Sequence, residues 1–177
     1  MKNLLIIPIT LCLILSGCKD DGPTPTPTPM GKTAGPIIGV WDLSKVVQEN
    51  GTIHWDGELV ATFTAVSTKE VGTVEFKSDS TFKSDIAYTS TTSLNFGGTV
   101  QDQTSDIPQT VTTGTFSYDS TSKVFIVTNS VGGVKQEAEM LELTSTKLVY
   151  KSKIYQKQTQ NGVVNETRVD VITTMTK

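Results

Sequence analysis

The sequence is poor in the residues on which most protein chemistry depends. Its 177 residues include two cysteines, one histidine (His54) and one arginine (Arg168). Both cysteines, Cys12 and Cys18, precede the part of the chain that can bury a core, so that part contains no disulfide and no thiol nucleophile. A zinc site generally needs two or more imidazoles or thiols. We therefore expect no metal and no cofactor.

Positive charge is not clustered anywhere in the chain. Lysine and arginine together number 15 and the acidic residues 18, giving a net charge of −3. Removal of residues 1–17, which contain Lys2, would leave 14 basic residues and a net charge of −4. A nucleic-acid interface requires a basic patch. We therefore expect no nucleic-acid partner.

Catalytic motifs are absent as well. The sequence has no phosphate-binding loop, dinucleotide fingerprint or pair of glutamates of glycosidase type. His54 and Asp56 have the spacing of an acid–base pair on one strand face, but serines are too abundant to single out a nucleophile. We interpret the chain as a non-enzyme and keep hydrolysis through His54 as the weakest alternative.

The sequence also lacks a sustained helical period, and short alternating segments separated by turn residues take its place. Asn50-Gly51 and Asn161-Gly162 are the strongest hairpin signals, and Asp56-Gly57 is similar. Residues 36–177 therefore predict an all-β domain of eight to ten antiparallel strands. An up-and-down barrel removes the free edges of such a meander, and an open sandwich is the second choice. We expect residues 95–109 to form a long loop at the barrel mouth, with an edge strand as the alternative.

The first predicted strand organises this domain. Read with period two, Ile37, Gly39, Trp41, Leu43 and Val47 share one face. Alternation in the later segments extends this inward set. Its members are Trp41, Leu43, Phe76, Phe82, Ile86, Tyr88, Phe116, Tyr118, Tyr150 and Ile154.

The N-terminal segments predict export. Residues 1–17 combine Lys2 with an apolar run too short for a mature membrane-spanning helix. Leu15-Ser16-Gly17-Cys18 resembles the bacterial lipobox, in which the cysteine is lipidated and becomes the new N-terminus; an ordinary secretory signal is the alternative. Residues 18–35 then form a linker, whose proline–threonine alternation favours a polyproline II tether reaching roughly 50 Å.

Lys19-Asp20-Asp21, directly after the cysteine, resembles the surface-export signal of Bacteroidota lipoproteins; a plain acidic spacer is the alternative. The resemblance implies an outer-membrane lipoprotein exposed at the cell surface and held in the membrane by its N-terminal lipid. Asp79-Ser80-Thr81 and Asp119-Ser120-Thr121 resemble the O-glycosylation acceptor of the same bacteria, with Ser80 and Ser120 modified. Turn formation by Asp and Ser is the alternative.

Gly39-Val40-Trp41 on the first strand matches the Gly-x-Trp signature of lipocalins. Residues 141–150, Leu-Glu-Leu-Thr-Ser-Thr-Lys-Leu-Val-Tyr, resemble a hairpin of the small lipocalin-like domains on Bacteroidota lipoproteins. The chain lacks the family's Thr-Asp-Tyr motif. The arginine that stacks on the tryptophan in lipocalins would have to be Arg168, but alternation with Glu166 and Asp170 points it outward.

The lipocalin resemblance implies a small apolar or amphipathic ligand inside the barrel. The interior residues expected to contact it are Trp41, Phe82, Tyr88, Phe116, Tyr118 and Tyr150. Small inward residues, Gly39, Gly114 and Ala138, are expected to leave room for it. In the alternative, the same side chains fill the barrel and the domain is a surface interaction module.

Overall fold

The structure is a computed structural model that describes residues 35–160 and 162–177. It is all-β, with eight antiparallel strands in chain order. They are β1 (Gly39–Trp55), β2 (Glu58–Phe76), β3 (Thr81–Phe96), β4 (Thr99–Asp119), β5 (Val124–Asn129), β6 (Lys135–Leu143), β7 (Lys147–Gln160) and β8 (Val163–Thr176). The signal segment, Cys18, Lys19-Asp20-Asp21, the tether and Asn161 lie outside the described residues.

Each strand pairs with the next, and β1 also pairs with β8, so the sheet joins into one ring. The expectation of eight to ten antiparallel strands in chain order is thereby confirmed, with eight. In the described part of the chain, no helix is long and apolar enough to cross a membrane.

Turn chemistry explains some of the strand ends. Asp56 and Gly57 connect β1 to β2 with φ angles of 50° and 87°, as a type I′ turn requires. Asn50-Gly51, in contrast, is not a hairpin turn, and that prediction is wrong. It lies inside β1, where the register with β2 shifts between Gln48 and Gly51. Asn50 has a φ of 55°, so the residue does adopt the positive φ that the sequence suggested, but in a β-bulge and not in a turn.

Residues 95–109 are not a loop. β3 and β4 form one long hairpin, paired from Thr81 and Thr115 up to Phe96 and Thr99. Gly97 and Gly98 form its turn, and the side chain of Asn95 accepts a hydrogen bond from the Gly98 amide at 2.9 Å. Threonine, serine and valine favour this extended pairing. Pro108 is tolerated because it lies at a register shift.

The face predicted for β1 holds only as far as Leu43. The pairing with β8 shifts between Leu43 and Lys45, and beyond that shift Val46, not Val47, is buried. One extra residue moves every later side chain to the opposite face of a strand. The placement of Val47 beside Trp41 is therefore wrong.

The core divides into three clusters that follow one another from one end of the ring to the other. The largest lies at the end where β1 begins and β8 ends, and its buried members are Ile37, Trp41, Val74, Phe76, Phe82, Phe116, Phe125, Ala138, Met140, Leu148 and Met175. A second cluster lies toward the other end, with Ile53, Ala61, Phe63 and Val169 buried. A third, between them, consists of Leu43, Val46 and Tyr88. We call the two ends the tryptophan end and the open end.

Candidate functional site

Trp41 lies in the core at the tryptophan end of the ring. Its side chain is fully buried, and its indole Nε1 donates a hydrogen bond to the Ile37 carbonyl at 2.7 Å. The Nζ of Lys177 lies 4.2 Å from the ring centroid and donates to the Ile38 carbonyl at 3.1 Å. A Cβ at Gly39 would come within 3.0 Å of this Nζ, so the glycine makes room for the lysine. The predicted burial of Trp41 is confirmed.

Arg168 points outward, as its alternation with Glu166 and Asp170 predicted. Its side chain is 62% exposed, and its Nη2 lies 3.3 Å from a Glu166 carboxylate oxygen. The guanidinium also lies 5.3 Å from the centroid of the Tyr155 ring. The cation over Trp41 is therefore Lys177. Sequence reasoning missed it, although a lysine directly after the last strand of a closed meander must end beside the first strand.

The six predicted ligand residues divide between clusters. Trp41, Phe82 and Phe116 are buried in the tryptophan-end cluster, and Tyr118 and Tyr150 pack against it. Tyr88 belongs instead to the middle cluster. Burial raises the pKa of the Tyr150 hydroxyl, opposed by its hydrogen bond to Thr173. Three of these rings, those of Phe82, Phe116 and Tyr150, contact the core rings of Phe76 or Phe125.

The tryptophan end is filled by side chains. Phe76 lies edge-on to Phe116, with ring centroids 4.9 Å apart, and Phe125 lies 5.8 Å from Phe76. A Cβ at Gly114 would lie 2.0 Å from the Thr128 carbonyl oxygen and 2.6 Å from the Phe82 ring. The expectation that Gly39 and Gly114 leave free space is therefore wrong, because Lys177 lies against Gly39, and the Thr128 carbonyl and the Phe82 ring lie against Gly114. Ala138, the third small residue of that expectation, is buried in the tryptophan-end cluster.

The open end arises because β5 and β6 are short, with 6 and 9 residues. β4 pairs with β5 only from Gly114 to Asp119, and β7 pairs with β6 only from Leu148 to Ser152. Residues 99–112 of β4 and residues 153–160 of β7 therefore extend beyond β5 and β6. In these stretches each strand pairs with a neighbour on one side only, and its other edge is not paired. We call these the β4 free edge and the β7 free edge. They flank an opening in the wall of the ring.

The inner lining of the open end combines an apolar cluster with uncharged polar side chains. The buried cluster of Ile53, Ala61, Phe63 and Val169 is extended by partly buried Leu94 and Ile154, among others. Paired residues of antiparallel strands share a face, so the register adds Gln48, Ser90, Thr92, Gln103, Gln156 and Thr167 to the same lining. The charged residues of these segments, Asp102, Asp106, Lys153, Lys157 and Arg168, fall on the outer face by the same register.

A cleft of about 560 Å³ lies beside the β7 free edge. It forms where β6 and β7 separate, beyond the pairing of Ala138 with Ser152. Its lining combines Gln136, Ile154 and Tyr155 with charged side chains, which are those of Lys123, Lys135, Glu137, Glu139, Lys151 and Lys153. None of the six predicted ligand residues lines it.

Ion pairs fix the outer face of β7, β8 and β1. Lys151 lies 2.9 Å from Asp170 and 3.4 Å from Glu49. A hydrogen bond from Asn50, followed by that from Lys151, lowers the pKa of the Asp170 carboxyl. Lys157, with Tyr155, lowers the pKa of Glu166 in the same way.

These lowered pKa values predict a loss of stability in acid. A carboxyl whose pKa is lower in the folded state adds stability that is complete above its unfolded pKa. That stability is lost as the pH falls through the folded pKa, here from about pH 4 downward. Urea unfolding between pH 7 and pH 2 should show this loss, and Asp170→Asn should make it smaller. An unchanged pH dependence in Asp170→Asn would contradict the prediction.

The remaining polar candidates have local partners. His54 Nδ1 lies 3.4 Å from the Gly57 carbonyl oxygen, while Asp56 accepts a hydrogen bond from the Val164 amide at 2.9 Å. In both Asp-Ser-Thr turns the aspartate accepts from the threonine amide, Thr81 at 3.0 Å and Thr121 at 2.9 Å. Ser80 is half-buried and Ser120 exposed.

The aspartate bonds account for both Asp-Ser-Thr segments as turn chemistry. Modification of Ser80 and Ser120 stays a prediction.

Within residues 35–160 and 162–177, no group of three or more His, Cys, Asp or Glu side chains is placed to hold a metal ion. Sequence reasoning also missed the open-end cluster, whose signal is the alternation of Ala61, Phe63 and Ala65 on β2. In comparisons with known proteins, no family model, no curated protein and no solved structure matches this chain.

Proposed function

We propose that this chain is a cell-envelope lipoprotein whose ring of strands is a lipocalin-like barrel, and that it binds a small apolar or amphipathic molecule at the open end. One observation carries the proposal. The ring is packed with aromatic side chains at the tryptophan end, whereas the short β5 and β6 leave an opening at the other end, beside an apolar cluster. A binding site combines such apolar surface with a few polar groups.

The lining suggests the chemistry of the ligand. Ile53, Phe63 and Val169 offer an apolar floor, and the amides and hydroxyls of Gln103, Gln156 and neighbouring residues can hydrogen-bond a polar group. The register places the charged side chains of β4 and β7 outside, so a charged group inside the ring would lack a counter-ion there, although lysines and glutamates line the cleft beside the β7 free edge. We therefore propose a neutral amphipathic ligand.

Binding can be tested with residues 19–177, which include every described residue. A neutral fluorescent lipid analogue should bind and increase its emission. Ile154→Glu should weaken binding at least about tenfold, because it places a charge in the apolar part of the lining. Thr159→Glu is the matched control, since Thr159 lies on the same strand but on its outer, exposed face. It should bind like the wild type.

Thermal unfolding of both variants separates lost binding from lost folding. Native mass spectrometry of the protein purified from its own host should also reveal a retained small molecule. If the wild type binds none of a panel of neutral lipids and carries no ligand, the ligand proposal fails. The interaction module with a filled interior would then be the better interpretation.

Anchoring through Cys18 is a separate part of the proposal. A single acyl chain binds membranes only marginally, so firm anchoring requires more than one. We expect Cys18→Ala to abolish lipid labelling and to release the protein from the membrane fraction. Retention of the label in Cys18→Ala would exclude Cys18 as the lipidation site.

Surface export depends on different residues and needs a different assay. Replacement of Lys19, Asp20 and Asp21 by alanine should hide the domain from protease added to whole cells, while lipid labelling persists. Unchanged protease access would reduce the three residues to a spacer.

The second candidate function is protein interaction. The specific observation in its favour is the pair of free edges, because an extended strand outside the ladder is a template for pairing with another chain.

A further inference from the structure

We propose that the β4 free edge of one copy of this chain pairs with the β7 free edge of a second copy, as antiparallel strands. The proposal does not depend on ligand binding. It rests on the length of the two edges, on the charges that each presents, and on one register that matches them.

The β4 free edge has little of the protection that edge strands usually carry. Proteins block such edges with lysine, proline, bulges or very short strands. β4 contains no lysine or arginine, and its unladdered stretch runs from Thr99 to residue 112. Pro108 and the bulge beside it interrupt only one point. Val100 and Val111 are 61% and 59% exposed along the stretch. This strand is therefore open to a partner.

Two aspartates mark the outer face of the β4 free edge. Asp102 accepts a hydrogen bond from the Ser93 hydroxyl at 2.6 Å, and Asp106 accepts one from the Thr89 hydroxyl at 2.7 Å. These bonds hold both carboxylates against β3. In the described part of the chain neither forms an ion pair. The outer face of this edge is therefore negatively charged and unpaired.

The β7 free edge carries the opposite charge at the same spacing. Lys153 and Lys157 are four residues apart on its outer face, as Asp102 and Asp106 are on β4. Lys153 forms no ion pair among the described residues, and Lys157 pairs only with Glu166, at 3.1 Å. Opposite charges directly across two strands stabilise their pairing, and like charges oppose it.

One antiparallel register satisfies both pairs at once. With Asp102 opposite the second copy's Lys157, Asp106 falls opposite its Lys153. On the outer face between them, Thr104 falls opposite Tyr155. The equivalent pairing of two β4 edges sets Asp102 against Asp106, and that of two β7 edges sets Lys153 against Lys157. The charges therefore favour the pairing of a β4 free edge with a β7 free edge over the pairing of two identical edges.

This interface is heterologous, because the two copies contribute different surfaces. Each added copy leaves one β4 edge and one β7 edge free. Association therefore continues beyond a dimer unless the copies form a closed cyclic oligomer. Sedimentation of residues 19–177 at low salt should show species that grow with protein concentration. High salt should reduce them, since the charges are exposed.

Charge reversal provides the decisive test. The acidic-edge variant Asp102→Lys/Asp106→Lys and the basic-edge variant Lys153→Asp/Lys157→Asp should each self-associate at least about tenfold more weakly than the wild type. An equimolar mixture of the two should regain association, because each variant now complements the other. Lys83→Asp is the control: Lys83 is an exposed residue on β3, whose strand is paired on both sides. It should behave as the wild type.

Circular dichroism and thermal unfolding of each variant establish that it is folded. Should the Lys157 change disturb its pairing with Glu166, Lys153→Asp alone replaces the double variant. A wild type that stays monomeric at every concentration overturns the proposal. So does self-association of both variants at wild-type strength, or a mixture that fails to regain it.

Discussion

Trp41→Ala is expected to lower the free energy of unfolding by about 3–5 kcal/mol, a large share of the ~5–15 kcal/mol typical of a domain. The indole is fully buried, so its removal leaves a cavity among close-packed side chains. It also removes the donor for the Ile37 carbonyl and the ring beneath Lys177.

Two variants separate these contributions. Trp41→Phe keeps a ring but leaves the Ile37 carbonyl without its 2.7 Å donor, which should cost about 1–3 kcal/mol. Trp55→Ala is the matched control, because the other tryptophan is 48% exposed and should lose far less. Urea unfolding followed by circular dichroism measures all three without depending on indole fluorescence. If Trp41→Ala costs no more than Trp55→Ala, the tryptophan end is not a packed core.

The sequence predicted the fold at the level of strands and turns because both signals are local. The shared face of Phe82, Ile86 and Tyr88 follows from the two-residue period of a strand. The turn at Asp56-Gly57 follows from the tolerance of both residues for the positive φ angles of a hairpin turn. The ring order, in which β1 pairs with β8, followed from the need of a meander to cover its first and last strands. All these inferences use neighbouring residues or a general rule.

The errors have one physical cause, which is that strand length and bulges depend on the partner strand. Residues 95–109 look irregular alone, with two glycines and a proline, yet pairing with β3 keeps most of them extended. Val47 was misplaced because the register shift between Leu43 and Lys45 moves the later residues of β1 to the opposite face. Asn50 was wrongly predicted to form a hairpin turn because its positive φ belongs to the bulge between Gln48 and Gly51. Each of these features is fixed only when two strands meet.

The candidate site could be predicted only in part for the same reason. The aromatic residues were correctly placed inside, but the sequence does not say which end of the ring they fill. That depends on where β5 and β6 stop, and so on the pairing of β4 with Asn129 and of β7 with Ala138. The opening, the cleft beside Ile154 and the two free edges all result from those endpoints.

Gly72→Ala is expected to destabilise the protein through two separate effects. Gly72 has a φ of 102°, a conformation that side chains rarely adopt, and forcing it costs roughly 1–3 kcal/mol. A Cβ there would also lie 1.9 Å from the Asp85 carbonyl oxygen, which belongs to the backbone of β3 and cannot rotate away. Separating the two strands should cost about 1–3 kcal/mol more.

Gly57→Ala isolates the first effect. Gly57 has a φ of 87°, but a Cβ there would meet nothing within 4 Å. The difference between the two variants in the free energy of unfolding therefore measures the cost of separating β2 from β3 at Gly72. That approach comes directly after the register shift between Thr68 and Val71, so the glycine lets β2 rejoin β3 after its bulge. Equal losses in the two variants would mean that the strands separate freely there, and that backbone strain alone requires glycine.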